Sequence, residues 1–314
     1  MQEGKPSKYA DSIHRVLRRK SLKSLPIRLS RAIQDGGYDA VVCVHVIPAM
    51  MMTELRRQCE GGPVFCFVAT DYTCSPTVGG CTPDICVIPH EELAEEFVSC
   101  GIARETLLAA GIPVRAVFRE QSDRAAARSE LALPQAGQHI VLMSGSIGCG
   151  PMADIASELE LRMEKGDFVS VLCGSNRQML YALRRRGFYR VEAVGFTNRV
   201  QQYMDSADVL VSKPGGISIT EACTRGTPLL LADMVGGCET RNQEFFRAHG
   251  WAETCQPEEM ANAAMAMLGQ PEQRRELVER QHRDFDGLAA DRIAQAVCER
   301  CRGGAGDDRA AAGV

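Results

Sequence analysis

No run in this chain is long and apolar enough to span a bilayer, and the N-terminus lacks the apolar core of a secretory leader. A membrane-spanning anchor and export are therefore not expected, and a cytoplasmic protein is. Positive charge is not in excess either: 314 residues carry a formal charge of −4, which excludes a general nucleic-acid binder. No repeat of fixed short period is present. Cys298-Glu-Arg-Cys301 has metal-like spacing, but no second pair of comparable spacing completes a zinc site, so no metal is expected. Fourteen cysteines without a leader fit a reduced compartment, where Cys43, Cys66, Cys86 and Cys173 act as small hydrophobes in strand-like runs. One stretch almost lacks acid: Lys5 to Arg31 holds nine basic residues against Asp11 alone. With Ile13, Val16, Leu17, Leu22 and Leu25 interleaved, it reads either as a segment resting on an anionic membrane or as a solvated helix face.

What is present is alternation. Apolar strands at 39–46, 63–69 and 84–88 alternate with helices at 48–58 and 90–100, and a Thr/Pro/Gly loop runs over 70–83. A second series has strands at 139–143, 168–173, 190–194, 208–211 and 228–232. This pattern predicts an α/β protein with parallel sheets covered on both faces. The expected division is an N-terminal domain over 1–118, a linker over 119–138, a C-terminal domain over 139–290, and a helix with a disordered tail over 291–314. Ligands of such sheets bind beyond the carboxyl ends of the strands, which puts the turns near 70–82, 145–150, 195–198, 212–217 and 233–242 on binding rims.

The most telling turn is Ser212-Lys-Pro-Gly-Gly-Ile-Ser-Ile-Thr-Glu221, between an apolar strand and a helix. Glycines let backbone N–H groups approach phosphate oxygens, and the helix dipole favours negative charge there. Glu221, near the helix start, could accept hydrogen bonds from ribose hydroxyls. Asp71, after a strand, is the best acid of the N-terminal half, and His45, at a strand end, is its best imidazole for proton transfer.

Several ordered motifs together carry a resemblance. They are Val194-Gly-Phe-Thr, the stretch Ala207–Ala222, Gly226-Thr-Pro, and Gly237-Cys-Glu-Thr-Arg-Asn-Gln-Glu-Phe-Phe. Val44-His45, Thr70-Asp71-Tyr-Thr-Cys-Ser-Pro76, Gly111-Ile-Pro-Val114 and Ser144-Gly-Ser-Ile-Gly-Cys-Gly150 agree with them. Across roughly residues 10 to 290 the chain resembles the monogalactosyldiacylglycerol (MGDG) synthases and processive diacylglycerol glucosyltransferases, relatives of the peptidoglycan transferase MurG. The resemblance implies a GT-B glycosyltransferase: two Rossmann-like domains, the N-terminal one incomplete here, with a UDP-hexose donor held mainly by the C-terminal one. It places uracil near Gly195 and Phe196, ribose on Glu221, and diphosphate near Gly215, Gly216, Ile217 and Ser218. It turns Glu239, Asn242 and Gln243 to the sugar. Thr220 and the Gly145-Ser146 loop are further donor-site candidates, and Lys213 bonds phosphate, backbone or a neighbouring acid. The implied chemistry is inverting displacement at the anomeric carbon, with Asp71 or His45 as catalytic base. UDP-sugar is a substrate, no cofactor is expected, and no Asp-x-Asp stands where it could hold a metal. The implied acceptor is diacylglycerol or another lipid, at the inner membrane surface.

The chain departs from the family at three points. No Gly-x-Gly-His precedes Asp39, so the family's first strand and glycine turn are expected to be missing, leaving an open sheet edge. Cys238 stands where the family commonly has glutamine, and Thr77-Val-Gly-Gly80 lacks an aromatic residue found there. Two further readings follow: a transferase to another lipid-linked acceptor, and a remnant that binds UDP-sugar without turnover.

Overall fold

The computed structural model describes residues 24–58, 62–120, 122–148 and 150–311, with residues 24–27 and 304–311 described by their backbone alone. The chain divides into two units, residues 1–112 with 288–314, and residues 113–287.

The first unit holds a parallel four-stranded sheet. Its strands are β1 (Ala40–Cys43), β2 (Val64–Val68), β3 (Ile85–Ile88) and β4 (Leu107–Ala109), side by side in that order. β2 and β3 are almost wholly buried runs, as parallel strands covered on both faces require. β1 ends the sheet among the described residues, with Val42 and Val44 exposed. Arg56 donates to both oxygens of Asp84, at 3.0 and 2.6 Å, and Asp84 also accepts from the Phe65 N–H. The helix Val46–Gln58 is thereby tied to the start of β3. The basic stretch lies outside the described residues up to Lys23; Arg28 and Arg31 are exposed on the helix Ser24–Gly36. The C-terminal helix, Ala289–Ala311, packs Ile293 and Val297 onto Cys66, Val68, Ile85 and Val87. It continues through most of the stretch expected to be a disordered tail, and its core contacts belong to the first unit rather than the second.

The second unit has six parallel strands: β5 (His139–Met143), β6 (Phe168–Leu172), β7 (Val191–Val194), β8 (Val209–Ser212), β9 (Leu229–Leu231) and β10 (Glu253–Thr254). Their order is β10-β9-β8-β5-β6-β7, so consecutive strands step away in opposite directions from the β5–β8 pair. Every residue of β5, β6, β8 and β9 is buried. Each fully buried large aliphatic side chain of these strands contributes about 1.5–3 kcal/mol, and the helices add Met152, Leu159, Leu183 and Leu268 to the same core. Residues 119–138, expected as a linker, belong to this unit, which begins at Pro113. Within them Arg124–Glu130 is a helix capped by Asp123. Its buried Arg128 bonds Asp208 at 2.9 Å, and an acid just ahead of β8 gives a charged segment a fixed seat. Among the described residues the cysteines are free thiols, and no helix is long and apolar enough to cross a membrane.

Candidate functional site

The reversal of strand order between β5 and β8 opens a crevice at their carboxyl ends, where doubly wound sheets bind ligands. Two glycine turns line it. After β5, Gly145 and Gly148 take left-handed conformations, φ +76° and +63°. Gly148 has no alternative: a Cβ there would stand 2.2 Å from the Cys173 carbonyl oxygen. The turn is fastened to the loop after β6. The Ser146 carbonyl accepts from the Ser175 N–H and hydroxyl at 2.8 and 3.0 Å, and Asn176 donates to the Gly148 carbonyl at 2.7 Å. The Ser146 side chain remains exposed.

After β8, Lys213-Pro-Gly leads into the helix Gly216–Arg225. Gly215 is its N-cap residue and offers no side-chain cap, so the first-turn N–H groups face the crevice uncapped with the positive end of the dipole behind them. Ile217 is half exposed and Ser218 half buried at this end. Thr220 is different from expectation: it is buried, and its hydroxyl donates to the Gly216 carbonyl at 2.7 Å, one turn back in its own helix. Gly226, left-handed at φ +68°, ends the helix.

A third element completes the crevice. Asp233 after β9 accepts from the N–H groups of Val235 and Gly236, at 3.0 and 2.7 Å, and from the Thr240 hydroxyl at 2.5 Å. Burial raises its pKa, but these three hydrogen bonds outweigh it and hold the carboxyl below its ordinary range. The organised Gly236-Gly237 turn then starts the helix Cys238–His249. Glu239, in its first turn, forms an ion pair with Lys213, and both side chains are largely buried. Asn242 is wholly buried and donates to the Pro214 carbonyl at 2.9 Å, so its Nδ2 supports the turn before Gly215 instead of standing open to a sugar. Gln243 donates to the Leu231 carbonyl at 3.4 Å and is half buried.

Glu221 lies on the second turn of the Gly216–Arg225 helix. Burial pushes its carboxyl up to about 7, with the Arg115 guanidinium pulling the other way. Gly195 and Phe196 follow β7, two strands from the switch, with Phe196 71 % exposed. In the first unit, His45 and Asp71 follow the adjacent parallel strands β1 and β2. His45 is exposed, and its Nδ1 accepts from the Ile47 N–H at 3.2 Å. That bond occupies Nδ1, so a neutral ring carries its proton on Nε2.

Three contributors went unnoticed in the sequence: Arg115, Asp233 and the Pro214 carbonyl. Asp233 had a readable signal, since an aspartate three residues before a Gly-Gly pair and ahead of a helix is an Asx-turn pattern. Arg115 and Pro214 act through tertiary proximity and had none.

Two parallel sheets with alternating helices give the chain the architecture of the GT-B glycosyltransferases. Acinetobacter baumannii MurG superposes with a TM-score of 0.63 at 14 % identity, covering 87 % of this chain and 77 % of that one. Anabaena HepE in complex with UDP gives 0.60 at 15 %, covering 90 % and 84 %. Residues 11–114 match the monogalactosyldiacylglycerol (MGDG) synthase family, and residues 154–284 match the glycosyl transferases group 1 family. A processive diacylglycerol beta-glucosyltransferase of Staphylococcus saprophyticus is 28 % identical over 224 residues, 70 % of this chain and 57 % of that protein. The chloroplastic monogalactosyldiacylglycerol synthase of Spinacia oleracea is 26 % identical over 277 residues, 83 % and 53 %. The chain is thus a relative of the MGDG synthases and processive diacylglycerol glucosyltransferases, as its motifs imply. It spans a little over half the length of these two relatives.

Proposed function

We propose that the chain transfers a hexose from a UDP-sugar to diacylglycerol at a membrane surface, by direct displacement with inversion. The observation that carries this is the crevice at the β5–β8 switch: two glycine turns and an uncapped helix N-terminus, formed by motifs that resemble those of the glycolipid synthases. In this reading the diphosphate rests on the N–H groups of Gly216, Ile217 and Ser218, where the dipole stabilises the charge that develops on the leaving UDP. The ribose hydroxyls donate to Glu221, and uracil lies against Gly195 and Phe196. Glu239 meets the hexose, while Asn242 and Thr220 keep the turn and the helix in place. Asp71 takes the acceptor proton, with His45 as a neighbouring donor. Diacylglycerol is favoured over another lipid-linked acceptor because it is what the relatives' names specify. Peripheral attachment to the inner membrane face through the basic N-terminal stretch belongs to the same proposal.

The test is release of UDP from UDP-glucose or UDP-galactose by the full chain, with and without diacylglycerol in vesicles containing anionic lipid. Release that depends on diacylglycerol is the expected result. Donor binding without any release would favour the non-catalytic reading, and release with a different lipid acceptor alone would favour the second transferase reading.

A further inference from the structure

Lys213 follows β8 directly, and its side chain is lodged between two glycines. A Cβ on Gly145 would stand 3.1 Å from its Cε, and a Cβ on Gly215 would stand 3.1 Å from its Nζ. The ammonium ends on Oε1 of Glu239, with 19 % of the lysine side chain and 16 % of the glutamate side chain exposed. The other carboxylate oxygen, Oε2, is shielded from solvent and has no hydrogen-bond partner. Few buried carboxylate oxygens in folded proteins are left that way, and a hydroxyl from a bound molecule is the group that would satisfy this one.

These contacts decide between two roles for the lysine. A phosphate ligand would have to leave Glu239, and its departure would strand a largely buried carboxylate without its counter-charge. The diphosphate has a partner that needs no such rearrangement, the uncapped first turn of the helix Gly216–Arg225. We propose that Lys213 serves the hexose and not the diphosphate: it fixes the Glu239 carboxylate so that Oε2 accepts from a sugar hydroxyl. Lys213 is then a positioning residue for sugar recognition, acting through Glu239. The assignment rests on the donor-site reading given above.

Titration calorimetry with UDP, UDP-glucose and UDP-galactose tests it on the full chain, comparing wild type with Lys213→Met, Lys213→Arg and Glu239→Gln. In Lys213→Met, UDP affinity should stay within about twofold of wild type. Affinity for the preferred UDP-hexose should fall about tenfold, the worth of one hydrogen bond to a charged group. Lys213→Arg should recover part of that loss. Glu239→Gln should show the same selective loss, and the double variant should be no worse than either single one, because the two residues act as one unit. Equal losses for UDP and UDP-hexose in Lys213→Met would overturn the assignment and make the lysine a phosphate ligand. Unchanged affinity for both would remove it from donor binding altogether. A folded wild type that binds neither UDP nor UDP-hexose defeats the donor-site reading itself, and this assignment with it.

Discussion

The wholly buried carboxamide of Asn242 donates to the Pro214 carbonyl at 2.9 Å, so the helix Cys238–His249 holds the turn that precedes Gly215. The bond joins the third element of the crevice to the second. Asn242→Ala would leave the Pro214 carbonyl without this donor and open a small cavity, at a cost of about 1–3 kcal/mol. A lower melting temperature and weaker UDP binding are both expected. Unchanged UDP affinity in a destabilised variant would make the residue a core amide with no bearing on the site.

Gly148 and Gly187 share a backbone conformation, φ +63° and +65°, but not an environment. A Cβ on Gly148 would stand 2.2 Å from the Cys173 carbonyl oxygen, whereas one on Gly187 would have nothing within 4 Å. Alanine at either position carries the left-handed penalty of roughly 1–2 kcal/mol. Only Gly148→Ala must also push apart the loops after β5 and β6. Chemical denaturation and UDP titration of both variants should therefore give a modest stability loss with intact binding for Gly187→Ala, and a larger loss with impaired binding for Gly148→Ala. Equal behaviour would mean that the Gly145–Gly148 turn is not part of the crevice.

Glu221, with its carboxyl near 7, should make donor binding depend on pH. In the proposed donor site the ribose hydroxyls would donate to the ionised form, so affinity should rise as pH rises through 7. At pH 6 about one tenth of the free protein would carry the charge, and UDP should bind roughly tenfold more weakly than at pH 8 from this group alone. The terminal phosphate of UDP titrates as well, so the informative quantity is the difference between wild type and Glu221→Gln. The wild-type curve should be steeper. Parallel curves would place the ribose elsewhere.

The parts of this molecule that could be read in advance are those that depend on local pattern. β5, β6 and β8 are predominantly apolar runs, and the Lys213-Pro-Gly-Gly216 turn follows one of them, so strand, turn and helix were all legible. β4 was not, because Leu107–Ala109 is three residues long and none of them is buried. The helix Arg124–Glu130 was obscured by its charge. Its anchor is the pairing of Arg128 with Asp208, eighty residues further along the chain, and local sequence carries no trace of that. The same limit applies within the site. Asn242 and Thr220 were legible as members of the crevice, but their inward-facing bonds depend on where Pro214 and the Gly216 carbonyl come to lie.

His139 opens β5 in full burial, stacked on Phe168 with ring centroids 4.3 Å apart, its Nε2 2.9 Å from the Ser170 hydroxyl. Burial pushes its imidazole down to about 3, so the folded chain keeps it neutral where an unfolded chain would protonate it. The sign follows from proton counting: between about pH 3 and 6.5 the unfolded state binds one more proton here, so stability falls as pH falls, by about 1.4 kcal/mol per unit. Glu221 works in the opposite direction. Its raised folded-state pKa means that the folded chain binds the extra proton between the ordinary glutamate range and about 7, so in the absence of ligand its contribution declines as pH rises. Over roughly pH 4.5 to 6.5 the two slopes oppose each other, the Glu221 slope reduced by its partial exposure. Removing one should expose the other. Glu221→Gln should therefore lose stability more steeply than wild type as the pH is lowered from 6.5 to 4.5, and His139→Gln should lose it less steeply. Urea denaturation at half-unit pH intervals measures both differences. If neither substitution changes the slope, the two burial effects are absent from the folding equilibrium.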